Sequence, residues 1–594
     1  MTWHSESRPW RSGAWSLSLR GDELADIAYD GHPVLRSVRA VVRDGDWDTA
    51  ELVVDEVTGG EGALALRVHS RGLGSSFSGD VRVSAAGPEL RVDLDLVSAE
   101  GFATNRTGLV VLHPPGVAGE PLEVLHSGGA RERTRFPREI SPHQPVLDIA
   151  GLDWPAGGLR AALRFAGDVF EMEDQRNWTD ASFKTYSRPL DLPFPFALAA
   201  GERVRQSIVL RIDRARTDRA GADPAGATDA AGAPAPDDVI VLRPGGAFPA
   251  ILLGAATAPD PAPAPSPVGA GVLVEVDVAA PQAPAALARA RATGLPLDVR
   301  LVVGPDDASA VAAAVAALEG VPVLRIGAFA RAGAAAHVSD AAAISLVRDA
   351  LAAAGRGIPV VGGARSHFTE LNRERHRIPD DVDALAIAVT PLFHATGTEQ
   401  LIESVAMQRL VAEQSVRLAA GKPVHIGPVC LRPRFNNVAT APPPASPRTD
   451  LADGYGAEHT GRADERQSAP ELAAWTIASA AALAVPGVAS LAWFEEWGPR
   501  GIRTRAGDRM PVADAIDALA AAAGAELLWG DSPDGLVWAL GARRGADAQI
   551  LAANLDRVPR RMAVTVPGGA RRRLEIAPGR VVRAAVRSAE RPPA

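Results

Sequence analysis

The chain has 594 residues, of which 47% are hydrophobic and 22% charged, a composition typical of soluble proteins with large cores. Its 62 Lys and Arg residues against 71 Asp and Glu residues give a net charge of −9, so no basic excess favours nucleic acid or an anionic membrane surface as a partner. A chain of this length is expected to form about two to four domains.

The chain start and the cysteine content bear on the compartment. The first ten residues, MTWHSESRPW, are too polar for a secretory signal. No uninterrupted apolar run has the length of a membrane span. Cys430 is the single cysteine, which rules out an intrachain disulfide and fits a reducing cytoplasm. We therefore expect a cytoplasmic protein without a membrane partner, whose oligomeric state the sequence leaves open.

The first 212 residues alternate between apolar and polar side chains and contain many turn residues, which predicts an N-terminal β-sandwich domain. The clearest strand-like runs are 15–19, 81–83, 90–96 and 206–212. Residues 213–239 are rich in Ala, Gly, Asp and Pro and contain few large apolar side chains. Such a segment buries too little surface to order itself, so we predict a flexible linker there.

From residue 240 to 525, buried-strand runs alternate with Ala-rich amphipathic segments. Eight such strands within roughly 280 residues predict a (β/α)8 TIM barrel as the catalytic domain. A doubly wound open sheet is the alternative, but no glycine-rich phosphate loop follows the first strand. The predicted barrel strands are 250–253, 272–278, 297–303, 321–326, 358–361, 384–389, 423–427 and 488–492, and residues 526–594 return to a strand pattern that predicts a small C-terminal β-domain.

Two predicted strands of the barrel end in acidic residues, and barrel active sites lie at that end of the strands. Glu370 follows the fifth strand, and Glu495 and Glu496 end the eighth. Alternation in a strand directs only one of two adjacent residues into the barrel mouth, and we favour Glu495. Glu370 and Glu495 are therefore the predicted catalytic pair, with one carboxyl as base and the other as acid. The alternative for Glu370 is a residue that merely caps the next helix.

Other polar and aromatic residues on the same rim are candidates for substrate binding. If period-two alternation continues past the fifth strand, Phe368, Glu370 and Asn372 share one side. Arg and Asn side chains there are able to stabilise a developing oxyanion, and Trp offers a flat apolar face to a sugar ring. The predicted binding residues on the barrel rim are Asn372, Arg373, His394, Arg432 and Trp497.

The residues offer little support for a metal or another cofactor. His367, Glu370, His394 and His425 are conceivable metal ligands, but no tight spacing such as His-x-x-x-His occurs. We therefore predict no metal and no cofactor.

A second polar segment lies in the N-terminal region, residues 171–186, EMEDQRNWTDASFKTY. It combines charges with large aromatic residues, which fits neither an ordinary surface loop nor a core strand. An ordered polar network at a domain interface explains this composition, and a place over the barrel mouth is the arrangement we consider. Arg176 and Trp178 are its candidate substrate-binding residues, and contact with the barrel alone remains open.

This segment, together with 368–373 (FTELNR) and the Phe494-Glu495 strand end, resembles the D-apionate lactonase family. The resemblance covers essentially the whole chain and implies hydrolysis of D-apionolactone to D-apionate in apiose catabolism. The partner would then be a small sugar lactone. The resemblance assigns no catalytic residues, so the two glutamates are predicted from their positions.

Two other functions remain open at this stage. A barrel glycoside hydrolase also needs two carboxyl groups across a sugar. The large barrel glycosidase clan places its pair on strands four and seven, however, whereas our count gives five and eight, and Thr369 stands where that clan usually has Asn. A non-catalytic carbohydrate-binding barrel ranks third, because it would not need two glutamates at strand ends.

Overall fold

The computed structural model describes residues 3–214, 238–439 and 446–587. Most of the predicted linker, 213–239, lies outside the described residues. In chain order the molecule contains an antiparallel β-domain, a closed barrel of eight parallel strands and C-terminal β-sheets. The predicted fold class is therefore confirmed. Among the described residues, no helix is both long and apolar enough to cross a membrane.

The N-terminal domain is built around one large antiparallel sheet with an aliphatic and aromatic core. A further two-stranded sheet joins Phe102–Thr104 to Phe196–Leu198. The strands of the large sheet are Arg8–Ser12, Trp15–Arg20, Glu23–Tyr29, His32–Arg43, Thr49–Ala50, Leu52–Gly59, Ala63–Gly72, Ser75–Ala86, Glu89–Ser98, Arg106–His113, Pro121–His126, Arg131–Arg135, Val146–Ala156, Leu159–Ala166, Phe170–Asp174, Phe183–Tyr186 and Arg203–Arg214.

The barrel strands pair in sequence order, and the eighth pairs with the first, which closes the ring and excludes the open sheet. Their apolar runs are buried on both faces, as expected when helices cover a parallel sheet. The strands are β1 (Ala250–Gly254), β2 (Gly271–Asp277), β3 (Leu297–Val303), β4 (Val323–Ala330), β5 (Val360–Gly363), β6 (Ala384–Val389), β7 (Val424–Val429) and β8 (Val488–Glu495).

The helices lie between and after these strands. They are α1 (Ala283–Arg291), α2 (Ala308–Ala317), α3 (Ala341–Ala353), α4 (Phe368–Glu374), α5 (Thr398–Leu418), α6 (Ala457–Thr460), α7 (Glu471–Leu483) and α8 (Ala513–Ala520). The short helix α4 begins soon after β5 ends, and it occupies the part of the rim where Glu370 lies.

An ion network fills the barrel near the N-terminal ends of its strands. Asp298 accepts hydrogen bonds from Arg300 Nε at 2.6 Å and from Arg325 Nε at 2.7 Å. Arg325 also donates to Ser490 Oγ at 2.7 Å. These charges are buried and paired, as buried ions must be. They occupy the end of the barrel opposite the rim on which Glu370 and Glu495 lie.

Two small sheets follow the barrel, and each includes one strand that precedes it. The sequence pattern did not indicate this pairing across the barrel. The sheets consist of Asp238–Val241, Arg560–Thr565 and Arg571–Ile576, and of Arg243–Ala247, Glu526–Trp529, Val537–Arg544, Asp547–Asn554 and Arg580–Arg587.

Candidate functional site

Glu370 lies in helix α4 and not on an extension of β5. The predicted period-two alternation through Phe368, Glu370 and Asn372 is therefore wrong, because residues two apart on a helix point in nearly opposite directions. The chain turns into the helix at His367, whose backbone N–H donates to Glu370 Oε2 at 3.0 Å. This is a capping-box contact, the alternative role that the sequence left open for Glu370.

The second carboxylate oxygen of Glu370 accepts a hydrogen bond from a different residue. Asn437, which follows β7, donates from Nδ2 to Glu370 Oε1 at 2.7 Å. The side chain keeps some accessible surface, although burial raises the pKa of its carboxyl group. A recessed carboxyl with a raised pKa is suited to proton transfer. The catalytic assignment of Glu370 stays a prediction.

Glu495 ends β8 at a break in the strand's regularity. Phe494 has a φ of 50°, and the pairing of β8 with β1 shifts register at this point. Trp493, two residues earlier on β8, contacts a helix outside the barrel. Its Nε1 donates to Ser479 Oγ of helix α7 at 3.4 Å. Glu495 instead accepts hydrogen bonds from the backbone N–H of Thr257 at 3.0 Å and from Thr257 Oγ1 at 2.8 Å.

Burial raises the pKa of Glu495, although the guanidinium of Arg500 opposes the shift. Arg500 Nε lies 3.6 Å from Glu495 Oε1. The carboxyl group is thus fixed at the junction of β8 with the loop after β1 and is 5% exposed. Its place at the C-terminal end of the barrel agrees with the sequence, and its catalytic role remains a prediction.

The neighbouring Glu496 is equally buried, and burial raises the pKa of its carboxyl group from 4.5 to about 7. The folded protein thus holds this proton more tightly than the unfolded chain. The resulting stability is fully present below about pH 4.5 and is lost as the pH rises through 7, a difference of roughly 3 kcal/mol.

We expect Glu496→Gln to reduce this loss. The midpoint of barrel unfolding in urea, measured by tryptophan fluorescence at pH 5 and pH 8, should fall less in the variant than in the wild-type protein. Equal falls in both proteins would contradict the assignment.

A carboxylate with two arginines occupies the barrel mouth, and no sequence pattern indicates that these three residues pair. Glu275, on β2, accepts from Arg365 Nη2 at 2.6 Å and from Arg434 Nη1 at 2.9 Å. Burial alone would raise the pKa of Glu275, but the two guanidinium groups outweigh it and lower the pKa to about 2. One positive charge therefore remains on the group, which favours negative charge developing nearby.

Arg365 of this group also contacts His337 and Phe435. Arg365 Nη1 lies 3.1 Å from Nδ1 of His337, and its guanidinium stacks 3.9 Å from the ring of Phe435. Burial and the charge of Arg365 lower the pKa of His337 to about 4, so the imidazole is neutral at neutral pH. His337 has a φ of 69°, a strained conformation of the kind that is often found at functional sites.

Segment 171–186 forms a wall beside the barrel rim. Trp178 stacks on Phe393, with ring centroids 6.0 Å apart and the planes 10° from parallel. His394 Nδ1 lies 2.9 Å from Asp180 Oδ2, and Gln400 donates to the other oxygen of Asp180 at 2.9 Å. The contact between this segment and the barrel that we considered from sequence is present.

Protonation within this wall follows from burial. Burial raises the pKa of Asp180 to about 8 and lowers that of His394 well below 6.5. The pair is therefore neutral at neutral pH, and the carboxyl proton of Asp180 is available to Nδ1 of His394. Behind it, Lys184 forms an ion pair with Glu173 and, against the effect of burial, lowers the pKa of Glu173 to about 2.

The remaining predicted binding residues have partners within the protein. Asn372 donates to the Ile140 carbonyl at 3.0 Å and to Asn177 Oδ1 at 3.1 Å. Arg373 Nε donates to the Pro142 carbonyl at 2.6 Å. These contacts join α4 to the N-terminal domain, an arrangement that favours domain docking over substrate contact for both side chains.

Arg432, Trp497 and Arg176 are also engaged elsewhere. Arg432 Nε donates to Asp464 Oδ2 at 2.7 Å, and Trp497, 3% exposed, packs on Ala256 and Ala258. Arg176 is 1% exposed and hydrogen-bonds within its own domain. A sugar could not reach the face of Trp497 or the guanidinium of Arg176 without rearrangement, which favours structural roles for both.

No direct contact joins Glu370 to Glu495 among the described residues. Burial, followed by His394 and then Arg434, lowers the pKa of His367, the residue whose backbone N–H donates to Glu370. Arg434 also interacts electrostatically with Glu495. Arg434 thus acts electrostatically on Glu495 and on His367, whereas the Asn437 amide contacts Glu370.

The four conceivable metal ligands do not converge. His425 Nδ1 lies 2.9 Å from Ser490 Oγ, within the network at the other end of the barrel. Within residues 3–214, 238–439 and 446–587, no group of three His, Cys, Asp or Glu side chains has the arrangement of a metal site.

Comparison with known proteins gives family matches in two regions. Residues 2–215 match the family described as D-apionate lactonase, N-terminal domain, and residues 264–524 match D-apionate lactonase, TIM barrel domain. A D-apionate lactonase of Brucella anthropi is 40% identical over 225 residues. That alignment covers 36% of this chain and 37% of the relative, so only about a third of the relative's length is matched.

Similar solved structures include a glycoside hydrolase family 30 xylanase from Clostridium acetobutylicum, with a TM-score of 0.39 and 9% identity. It aligns with 59% of this chain and 100% of its own. A putative aldose 1-epimerase from Escherichia coli K12 aligns with 35% of this chain and 99% of its own, with a TM-score of 0.26 and 12% identity. Both likenesses are distant.

Proposed function

This chain belongs to the D-apionate lactonase family, and from that membership we propose that it is a carboxylic-ester hydrolase that opens a sugar-acid lactone. The proposed substrate is D-apionolactone and the product D-apionate, in apiose catabolism. The observation that carries the proposal is the match of two successive domains, residues 2–215 and 264–524, to the same family.

The proposed chemistry uses two carboxyl groups in opposite protonation states. One carboxylate, Glu370 or Glu495, takes a proton from water as the water oxygen bonds to the lactone carbonyl carbon. The tetrahedral intermediate then breaks its bond to the ring oxygen, and the other glutamate, protonated, gives that oxygen its proton. Burial raises the pKa of both glutamates, which favours the protonated form that the acid requires.

Negative charge develops on the carbonyl oxygen during the attack. The Glu275, Arg365 and Arg434 group carries one net positive charge at the barrel mouth and supports stabilisation of this oxyanion. Glu275 itself remains ionised, because its pKa is about 2. Its proposed role is to orient the two guanidinium groups without exchanging a proton.

The test is an assay of the full chain with D-apionolactone, other aldonolactones and aryl glycosides at constant pH. We expect one equivalent of acid for each lactone opened, at a rate above the enzyme-free hydrolysis, and no release of the aryl alcohol. Turnover of the glycosides without acid release from the lactones would reject the lactonase function and favour a glycosidase function. Turnover of neither substrate class would reject both functions.

A further inference from the structure

Arg43 is a cation without a partner at the interface between the N-terminal domain and the barrel. It ends the strand His32–Arg43, and its side chain is half-buried. Its guanidinium forms no hydrogen bond or ion pair with any residue in the described parts of the chain. A partly buried arginine is normally paired, because withdrawing an isolated charge from water is costly.

The charges around Arg43 leave it uncompensated. In the strand ladders Arg43 lies opposite Arg106, and Lys184 lies opposite Glu173 on the same face of the sheet. Glu173 is already paired with Lys184. Glu171 accepts from the Tyr186 hydroxyl and the Leu190 backbone N–H and lies 3.9 Å from Arg106 Nη2. This leaves three cations facing two carboxylates.

Asp180, a further carboxyl group that interacts electrostatically with Arg43, does not neutralise the remaining charge. Asp180 is protonated at neutral pH, because burial raises its pKa to about 8. Burial, followed by repulsion from Arg106, lowers the pKa of Arg43 to about 10, which still leaves the guanidinium charged at neutral pH. The face therefore retains one positive charge in the absence of a ligand.

This face lies beside the candidate site. After burial, Lys184 and Arg43 are the main groups that lower the pKa of His394, on the barrel rim. Trp178 is 5% exposed, yet its indole Nε1–H has no hydrogen-bond acceptor among the described residues. An unpaired cation and an unpaired donor thus lie in the same interdomain wall.

We propose that Arg43 is the anion-binding residue of this site and takes the carboxylate of the hydroxy acid that lactone opening produces. The inference rests on the proposed function for the identity of the acid. A lactone carries no charge, whereas its hydrolysis product is an anion at neutral pH, so Arg43 distinguishes product from substrate. The indole N–H of Trp178 is then a donor to an oxygen of the same ligand.

The test is calorimetric titration of the full chain with D-apionate and with apiitol, the uncharged polyol of the same carbon skeleton. We expect Arg43→Gln to weaken D-apionate binding by about 10- to 100-fold, the effect of losing one charge-assisted hydrogen bond. The affinity for apiitol should not change. Arg133→Gln removes the same charge from an arginine of this domain whose side chain is 90% exposed, and it should leave both affinities unchanged.

A thermal melt without ligand separates binding from a structural role. Arg43→Gln removes an uncompensated charge, so its melting temperature should equal or exceed that of the wild-type protein. A lower melting temperature, or D-apionate binding as tight as that of the wild-type protein, would overturn the inference.

Binding is measured without turnover, so the two proposals fail separately. A wild-type protein that binds D-apionate through Arg43 but opens no lactone would reject the proposed function alone. A protein that opens the lactone but binds D-apionate independently of Arg43, or not at all, would reject this inference alone.

Discussion

Glu370→Gln and Glu495→Gln should each lower the kcat for lactone opening by about 10²- to 10⁴-fold, the usual contribution of a positioned acid or base. Glutamine preserves the size of the side chain and its acceptor oxygen, so the cap on His367 and one bond to Thr257 are able to persist. The measurement is kcat and KM from acid release at constant pH, with circular dichroism to verify the fold.

The control for Glu370 lies on the same helix. Glu374 ends α4 and forms an exposed ion pair with Arg377, so Glu374→Gln changes the helix charge equally without touching the recessed site. We expect it to retain wild-type kcat. Near-normal turnover in Glu370→Gln would show that this residue only caps helix α4. The same result in Glu495→Gln would show that Glu495 only holds Thr257 against the end of β8.

The pH profiles should differ between the two variants if the glutamates divide the work. Loss of the base removes the acidic limb of the kcat profile, and loss of the acid removes the alkaline limb. Burial raises the pKa of both groups, so both limbs should lie above the ordinary range of glutamate. Profiles that change identically would contradict separate roles.

The barrel strands could be predicted from the sequence because they are continuous apolar runs buried on both faces. Leu297–Val303 and Ala384–Val389 have the predicted bounds, and each residue in both strands is buried. The end of β4 was placed too early, because the run from Gly327 to Ala330 continues the strand with small and aromatic residues.

The local geometry of the site could not be predicted in the same way. Alternation fails at α4, because a helix cap at His367 interrupts the strand pattern, and again at Phe494, where the backbone enters the left-handed region. Glu at the third helical position is itself a capping-box signal, and it could have indicated the start of α4.

Contacts between distant segments could not be predicted from the sequence for a different reason. Glu275 lies on β2, and its partners Arg365 and Arg434 follow β5 and β7. The three side chains meet only when the barrel closes. The isolation of Arg43 likewise depends on the register that places it opposite Arg106. Neither periodicity nor spacing within one segment carries this information.

Arg176→Gln should destabilise the N-terminal domain by about 3–5 kcal/mol, the usual cost of removing one partner from a buried ion pair. Arg176 donates to both oxygens of Asp174, at 2.8 and 2.6 Å, and to three consecutive carbonyl groups of residues 137–139. Its guanidinium also lies 4.3 Å from the ring centre of Phe183. The measurement is urea unfolding at neutral pH, followed by near-ultraviolet circular dichroism.

The partner carboxylate provides an internal check on this prediction. Burial raises the pKa of Asp174 even with Arg176 present, so the unpaired carboxyl of the variant should take up a proton, and the destabilisation should shrink at pH 5. Arg160→Gln breaks a more exposed ion pair with Asp153 and should cost less than about 1 kcal/mol. An Arg176→Gln variant with unchanged stability and a raised KM would contradict this prediction. The guanidinium would then bind the substrate during turnover, and it would have to break its hydrogen bonds with Asp174 to do so.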